Sequence, residues 1–428
     1  MRDKNISEGL LSFIDDSPCS YFAVNQMKRM LEAEGFKEYK LSDKFNLKVG
    51  DRGYFTVNDS SILAFDIGDA DIEEKGFRII ASHCDSPGFR IKSDPVIKKD
   101  GVVYLNTEVY GGPIYSTWLD RVLSFAGRAV LKSDDLLEPV SVLVNIDRDL
   151  LTIPNLAIHM NKEVNKGFVY DAQKHLLPFI ALDDEVGDDF IEELIAQELG
   201  VDKEDILDFD LYLYDRERAK RIGAKGEFIS AGRQDNLAMA YSSLMAMMDS
   251  KAKSLNVFLC TDNEEVGSKS IQGADSPMAR DCLKKISMAL GKGEDEFIRS
   301  MENSYIISGD MAHAVHPEYA DRADLTNRPI LGKGPVIKYA ASKSYTTDAY
   351  SAAIFMQLCN KAGVEYQKFY NRSGSAGGGT IGPLNTKYLK IKSVDIGNPL
   401  IAMHSIRELG AVKDLESVYK VFAELYRS

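Results

Sequence analysis

Two adjacent glutamates, Glu264 and Glu265, come soon after the apolar segment LNVFLC (255–260). Neighbouring side chains of a regular strand face opposite sides, so at a strand end one glutamate can bind a metal ion while the other faces a substrate water. A glutamate pair is otherwise an ordinary feature of a solvated loop. Which interpretation holds depends on what accompanies the pair elsewhere in the chain.

A histidine and an aspartate follow another apolar segment. FRIIAS (77–82) is short and contains β-branched residues, and it stops at His83-Cys84-Asp85. This pattern predicts a buried strand whose carboxyl end presents polar groups. The spacing His83-x-Asp85 allows the carboxylate to orient the imidazole. A single histidine is otherwise a common packing or surface residue.

Three more residues, Asp235, Asp310 and His404, each have an ordinary structural interpretation. Asp235 precedes a predicted helix as an N-cap does, Asp310 suits a turn, and His404 suits a packed core. Together with the residues above, they form the mixed nitrogen and oxygen ligand set that zinc or a similar cation accepts. Because the set lacks cysteine, it indicates a catalytic site, in which two ions about 3.5 Å apart share a carboxylate and activate a water.

Such residues must be held at one edge of a sheet. SYIIS (304–308) stops before Gly309-Asp310, and SVDIG (393–397) precedes the segment that contains His404. Ligands of an open α/β sheet gather outside the carboxyl ends of its strands. We therefore predict an α/β fold with a three-layer catalytic domain, in which a central, mostly parallel sheet lies between helices. Helical spacing is found at 22–34, 234–250, 348–363 and 412–428.

Residues 92–228 have a different pattern. They contain alternating segments typical of strands, such as VVYLNTEVY (102–110), and an acidic helix at 188–200, but no strand there ends in metal-ligand residues. We interpret 92–228 as an inserted β-rich domain. The catalytic domain is then discontinuous and comprises 1–91 and 229–428.

Composition limits the class of protein. The chain has 428 residues, a net charge of −13 and 44% hydrophobic residues, which favours a folded, acidic protein that does not bind nucleic acid. The sequence has no signal-peptide pattern and no apolar run of about 18 residues that would span a membrane. Five scattered cysteines without a CxxC pair are typical of a reducing compartment. We therefore predict a cytoplasmic protein with no membrane partner.

An ordered set of motifs resembles the aspartyl aminopeptidase family of di-zinc metallo-aminopeptidases. No single motif carries the resemblance, but their order and separations do, and the resemblance covers nearly the whole chain. The motifs are SHCDSP, GRQDNL, TDNEEVGS, SGDMAHAVHPEY, GGTIGP and MHSIRE, with IPNLAIHM in the insert.

The resemblance implies two Zn²⁺ ions per subunit, with Co²⁺ or Mn²⁺ acceptable in one or both sites. It implies that Glu264 is the general base and that Asp85 orients His83. The implied metal ligands are His83 and Asp310 for one ion, Glu265 and His404 for the other, and Asp235 as the bridge between the two.

The resemblance also implies that the insert is a dimerisation domain and that subunits assemble into tetrahedral dodecamers. His159 matches a family histidine that reaches into the active site of a neighbouring subunit. Lys338 matches a family lysine that meets an acidic substrate side chain, and an ammonium group favours Asp or Glu there. Gly374 departs from the family pattern, which has an aspartate at this place in many members, in a loop that shapes substrate preference. His313 and His316 are interpreted as orienting or structural residues.

The sequence thus predicts a metal-dependent aminopeptidase that removes the N-terminal residue of peptides, with a preference for Asp or Glu. Three alternatives remain: an aminopeptidase for neutral residues, a di-zinc deacylase or carboxypeptidase, and a catalytically silent peptide-binding assembly protein. The last of these would be expected to lack ligands or the base, whereas the matching positions here are all occupied by suitable residues.

Overall fold

A computed structural model describes residues 6–183, 186–375 and 377–428. These residues divide into two compact units. The first unit comprises 6–85, Ala219–Met403 and Glu408–Ser428, and the second comprises Ser86–Arg218 and His404–Arg407. The second unit therefore begins and ends at different residues from the predicted insert, 92–228, and His404 groups with it.

A nine-stranded mixed sheet forms the centre of the first unit. Its first three strands, at one edge, include the antiparallel pair Arg52–Val57 and Ser61–Ile67, joined at Asn58-Asp59, where both residues have positive φ. In spatial order the strands are Lys37–Glu38, Arg52–Val57, Ser61–Ile67, Leu255–Thr261, Phe77–His83, Tyr305–Gly309, Lys392–Gly397, Val336–Tyr339 and Gln367–Tyr370.

Four neighbouring strands of this sheet run parallel to one another, and we call them the central strands: Leu255–Thr261, Phe77–His83, Tyr305–Gly309 and Lys392–Gly397. Their residues are almost all buried. A strand covered on both faces consists of a continuous apolar run, which is why FRIIAS and LNVFLC lack alternation. Because the four strands are parallel, their carboxyl ends lie at one edge of the sheet.

Helices cover both faces of the sheet, and successive residues of a strand enter different cores. Ile80 packs with the helices Gln234–Met248 and Val412–Tyr426, whereas Ile79 packs with Met278–Ala289 on the other face. This confirms the predicted three layers. The helices of the first unit are Ile6–Asp15, Ser20–Ala33, Ile72–Lys75, Gln234–Met248, Met278–Ala289, Glu294–Glu302, Ala349–Ala362, Ile381–Tyr388 and Val412–Tyr426.

Two small sheets complete the first unit. The strands Lys220–Ile222, Phe228–Ala231 and Glu408–Ala411 form an antiparallel sheet next to the start of the helix Gln234–Met248. The strands Ala312–His313 and Pro399–Leu400 pair in parallel just beyond two of the central strands. Both sheets therefore lie close in sequence to predicted site residues.

The second unit is built on a six-stranded antiparallel sheet. The helix Phe190–Leu199 contributes Ile191, Leu194 and Ile195 to its core, and the unit also contains the short helix Ala172–His175. The strands in spatial order are Val140–Asn145, Leu123–Leu131, Ile206–Asp215, Gly88–Lys99, Val102–Tyr110 and Phe179–Leu182. Within the described residues, no helix of either unit combines the length and apolar character that crossing a bilayer requires.

Candidate metal centre and active site

The predicted site residues of the first unit come from adjacent elements. His83 is the last residue of its central strand, and Asp310 directly follows Tyr305–Gly309. Glu264 and Glu265 begin the 3₁₀ turn after Leu255–Thr261. Asp235 lies in the first turn of the helix Gln234–Met248. The central strands and one helix start thus bring these side chains to one edge of the sheet.

The imidazole of His83 lies at the centre of the site. Its Nε2 atom is 3.6 Å from Asp235 Oδ1 and 3.6 Å from Asp310 Oδ1. On the other side of the ring, Nδ1 is 3.2 Å from the main-chain oxygen of Asp85 and 3.4 Å from its Oδ1. Because both of these oxygens accept, Nδ1 carries a proton and Nε2 faces the carboxylates.

Asp85 contacts both the glutamate pair and His83. Its Oδ1 accepts a hydrogen bond from the backbone N–H of Glu264, and its Oδ2 accepts one from that of Glu265, both at 3.0 Å. The same carboxylate lies against His83 Nδ1. The structure thus places Asp85 where the sequence predicted it, beside His83, and adds a second contact that the sequence did not indicate.

Burial dominates the electrostatics of the glutamate pair. It raises the pKa of the Glu264 carboxyl to about 7, and of the neighbouring charges His83 opposes this increase whereas Asp310 adds to it. Burial, followed by the negative charge of Asp235, also raises the pKa of Glu265 well above its ordinary value. His83 itself is buried, which disfavours its charged form, but the adjacent carboxylates of Asp235, Asp310 and Asp85 raise its pKa well above the ordinary value.

Two residues that support Asp235 were not singled out from the sequence. Glu408 is 2% exposed, and its Oε2 accepts a hydrogen bond from the backbone N–H of Asp235 at 3.1 Å. Asn236 donates from Nδ2 to the main-chain oxygen of Gly309 at 2.8 Å, which ties the start of the helix to the residue before Asp310. Glu408 ends the motif MHSIRE, but no spacing rule connects it with Asp235.

Asp262, the residue after the strand Leu255–Thr261, was also not proposed. It is 4% exposed, and burial raises the pKa of its carboxyl to about 7, with Asp85 adding to the increase. Its Oδ1 accepts a hydrogen bond from the backbone N–H of Asn263, which has φ 61° and precedes the glutamate turn. The strand-end argument applied to Glu264 would have found this residue as well.

The donor set fits divalent metal ions such as zinc. One ligand atom from each of His83, Asp235 and Glu265 lies within 4.8 Å of the others. The 3.6 Å separations around His83 Nε2 are longer than a hydrogen bond. They are close to the distance of about 3.4 Å between two ligands that each bind a tetrahedral zinc at about 2.1 Å. Several buried carboxylates around one imidazole also need a compensating positive charge.

His404 and His159 belong to the second unit. His404 has φ 68°, and its Nδ1 lies 3.1 Å from the main-chain oxygen of Gly112. A carbonyl can only accept, so this contact leaves His404 Nε2 as the ring atom with a lone pair, as in histidines that bind metals. His159 lies in an exposed turn beside the exposed apolar residues Ile158 and Met160. The metal-ligand role of His404 and the intersubunit role of His159 stay predictions.

Lys338 is buried, whereas a residue that contacts substrate in an open pocket would be exposed. It lies on the strand Val336–Tyr339 and is 3% exposed. Its Nζ is 2.9 Å from the main-chain oxygen of Met311 and 3.5 Å from Asp310 Oδ2. Burial alone would lower the pKa of Lys338, but the charge of Asp310, followed by smaller contributions, raises it.

The remaining residues considered in the sequence are His316, His313 and Gly374. His316 caps the 3₁₀ helix Pro317–Arg322 by accepting from the backbone N–H of Glu318, which agrees with a structural role. The ring of His313 lies 6.1 Å from that of Phe369, centroid to centroid. Gly374 has φ 84° in the loop before Thr380. Ala376, in the same loop, lies outside the described residues.

Known proteins are similar to this chain over almost its whole length. A family model described as aminopeptidase I zinc metalloprotease (M18) matches residues 13–426. A relative from Clostridium novyi (strain NT), described as probable M18 family aminopeptidase 2, is 48% identical over 431 residues and covers 100% of both chains. A second relative of the same description, from Clostridium acetobutylicum, is 45% identical and covers 99% of both chains.

Solved structures share the fold. The chain is similar to Ape4, solved in complex with Nbr1, with a TM-score of 0.94 and 34% identity over 99% of this chain and 85% of that one. It is also similar to an M18 family aminopeptidase from Thermotoga maritima, with a TM-score of 0.85 and 26% identity over 98% of this chain and 95% of that one. With a family model that spans almost the whole sequence and relatives that align end to end, the chain belongs to the M18 family of zinc metallo-aminopeptidases, hydrolases that act on peptide bonds.

Proposed function

We propose that the chain is an aminopeptidase with two metal ions per subunit and a preference for peptides that begin with Asp or Glu. The observation that carries the proposal is the convergence of four ligand-type side chains and the carboxylate of Glu264 at one edge of the sheet. His83 Nε2 faces Asp235 and Asp310 at 3.6 Å, and Glu265 offers a ligand atom within 4.8 Å of those of His83 and Asp235. His404 is the fifth proposed ligand.

The metal ions, Glu264 and Asp85 have different roles in the proposed reaction. Bound metal ions supply a Lewis acid that polarises the scissile carbonyl and lowers the pKa of a water. Glu264 takes a proton from the attacking water and returns it to the leaving amine, a role for which a pKa near the working pH is suited. Asp85 holds the backbone of Glu264 and the ring of His83 in place.

An acidic preference is supported by Lys338. It is a buried cation 3.5 Å from Asp310, which we assign as a metal ligand. Its ammonium group also donates to the main-chain oxygen of Met311. A positive charge at this position favours a substrate carboxylate nearby. Gly374 stands where the family aspartate is expected, so the preference is a property to be measured on this chain.

Assembly is the second part of the proposal. We propose that the second unit mediates dimerisation, that the protein forms a tetrahedral dodecamer, and that His159 enters the active site of a neighbouring subunit. The exposed side chains Leu156, Ile158 and Met160 flank His159 and are 53%, 48% and 71% exposed. Grouped apolar side chains on a surface are typical of an interface between proteins.

The test is hydrolysis of dipeptides that begin with Asp, Glu, Leu, Ala or Lys, each with a free or an acetylated amine. The enzyme is stripped with a chelator and reloaded with Zn²⁺, Co²⁺ or Mn²⁺. We expect metal-restored release of the first residue from free-amine peptides only, fastest with Asp and Glu.

Other outcomes identify the alternatives. Equal rates with Leu and Asp would remove the acidic preference but keep the aminopeptidase. Better cleavage of acetylated peptides would indicate a deacylase or carboxypeptidase. No turnover by a correctly assembled, metal-loaded protein would indicate a catalytically silent binding protein.

A further inference from the structure

Lys338 contacts the side chain of Asp310 and the backbone of the residue that follows it. The ammonium group donates to the main-chain oxygen of Met311, the next residue, at 2.9 Å. It also lies 3.5 Å from Asp310 Oδ2. The ring of Tyr345 lies on another side, with its centroid 5.4 Å from Nζ. Because Lys338 is 3% exposed, its head group is enclosed by these partners.

The two oxygens of Asp310 therefore face different partners. Oδ1 is 3.6 Å from His83 Nε2, on the side of the proposed metal ligands, and Oδ2 faces Lys338. Among the described residues, Lys338 is the only cation that the structure places in contact with Oδ2. Rotation of the carboxylate about its Cβ–Cγ bond would break this contact. The ion pair thus favours one orientation of the carboxylate.

We propose that Lys338 is a positioning residue for Asp310, holding Oδ2 and the following carbonyl so that Oδ1 alone is presented to the metal. The inference rests on the proposed metal-ligand role of Asp310. It assigns Lys338 a role that precedes substrate binding, whereas the family resemblance assigns it a contact with the substrate. A lysine in a fixed ion pair with a metal ligand acts as the outer partners of metal ligands do, through orientation and charge.

The two roles of Lys338 predict different defects. Loss of a substrate contact raises KM for peptides that begin with Asp or Glu and leaves peptides that begin with Leu unaffected. Loss of a positioning residue lowers the affinity for metal before any substrate is present. It also lowers kcat for acidic and neutral peptides by the same factor.

The experiment measures zinc affinity by competition with a chelator for Lys338→Met, Asp310→Asn and the double variant. Methionine keeps much of the length of lysine and removes the charge. We expect Lys338→Met to weaken zinc binding by about 10- to 100-fold, as for other outer partners of metal ligands. If Lys338 acts through Asp310, the same change in the Asp310→Asn background has little further effect, since coupled residues are not additive.

Two further variants separate positioning from general damage. Lys292→Met removes a lysine that pairs with Asp71 and Glu73, and it should leave zinc affinity unchanged. Lys338→Arg keeps the charge and should restore part of the affinity. Thermal unfolding of the metal-free proteins shows whether each variant folds, and Lys338→Arg provides the comparison if Lys338→Met does not.

The proposal is overturned if zinc affinity is unchanged in Lys338→Met, or if the loss is the same with and without Asp310. A rise in KM limited to acidic peptides, at normal zinc affinity, would establish the substrate contact instead. Failure of the proposed function is a separate result, because wild-type protein would then bind zinc without cleaving any peptide. The zinc affinities of the wild type, the two single variants and the double variant could still be compared.

Discussion

At the scale of single residues, Asp85 determines how the proposed base, Glu264, and a proposed metal ligand, His83, lie relative to each other. It accepts from the backbones of Glu264 and Glu265 with its two oxygens and contacts His83 Nδ1. Two adjacent glutamates can keep different roles only if their backbone is fixed, because a rotation of the backbone there would redirect both side chains. One buried carboxylate thus fixes the glutamate turn and the imidazole together.

Glu264→Gln should keep zinc content near that of the wild type, while kcat falls by a factor of about 10² to 10⁴, as expected for loss of a general base. The amide matches the carboxylate in size but cannot take the proton. Steady-state kinetics and metal analysis of the purified protein check this. Glu416→Gln, at an exposed helix position, is the matched control, and near-full activity of Glu264→Gln would exclude Glu264 as the base.

Several of the described site residues could be predicted because they lie at the end of a buried strand or shortly after it. His83 and Asp310 are examples, since an apolar run that ends in a polar ligand type is visible in the sequence. Glu408 could not be predicted in this way. Its contact with Asp235 spans 173 residues and depends on the pairing of Glu408–Ala411 with Phe228–Ala231, which no local pattern indicates.

At the scale of elements, the apolar runs of the central strands predicted both their position and their burial. The order of the strands could not be read from the same pattern. Leu255–Thr261 lies beside Phe77–His83, although 171 residues separate the end of one strand from the start of the other by sequence number. Long-range pairing depends on which faces the helices cover, and the local sequence does not encode this.

The contribution of Asp414 to stability, at the start of one helix, should depend on pH. It lies in the first turn of Val412–Tyr426, and its two oxygens accept from the backbone N–H groups of Gly332 and Gly334, both at 2.7 Å. Burial raises the pKa of its carboxyl from 3.8 to about 6, against the effect of these hydrogen bonds. Between these two values the folded state binds more protons than the unfolded state, so the contribution of Asp414 to stability falls as pH rises.

In Asp414→Asn this pH dependence is absent. The free energy of unfolding of the variant, relative to wild type, should therefore increase by up to about 3 kcal/mol between about pH 4 and pH 6.5. Urea unfolding of both metal-free proteins across this range measures the difference. Distant titrating groups cancel in the comparison, and a difference that does not change with pH would contradict the prediction.

At the scale of the whole molecule, metal binding should add to stability because the ligands come from distant parts of the chain. A ligand that binds only the folded state at 100 times its Kd stabilises it by about 2.7 kcal/mol. We expect calorimetry to show a higher Tm with zinc than with chelator. The increase should be reduced in Glu265→Gln, and an equal increase in that variant would indicate zinc binding elsewhere.

Assembly gives the last prediction. Ile158→Asp introduces a charge beside His159 at a position that is 48% exposed, so the fold should tolerate it. If this surface is an interface, the variant should form smaller species in analytical ultracentrifugation and lose activity while retaining zinc. Lys166→Asp, in the same unit and with a side chain that is 67% exposed, is the control. An Ile158→Asp variant of unchanged size would place the interface elsewhere.

The separation of the site residues along the chain also has a consequence for biosynthesis. His83 leaves the ribosome long before Glu265 and Asp310, and the whole of Ser86–Arg218 is made in the interval. At about 5 to 20 residues per second, the strand that carries His83 waits roughly 10 to 40 seconds for its neighbour Leu255–Thr261. During this time it is an unpaired apolar segment that chaperones can bind, and the proposed metal site cannot form until most of the chain has emerged.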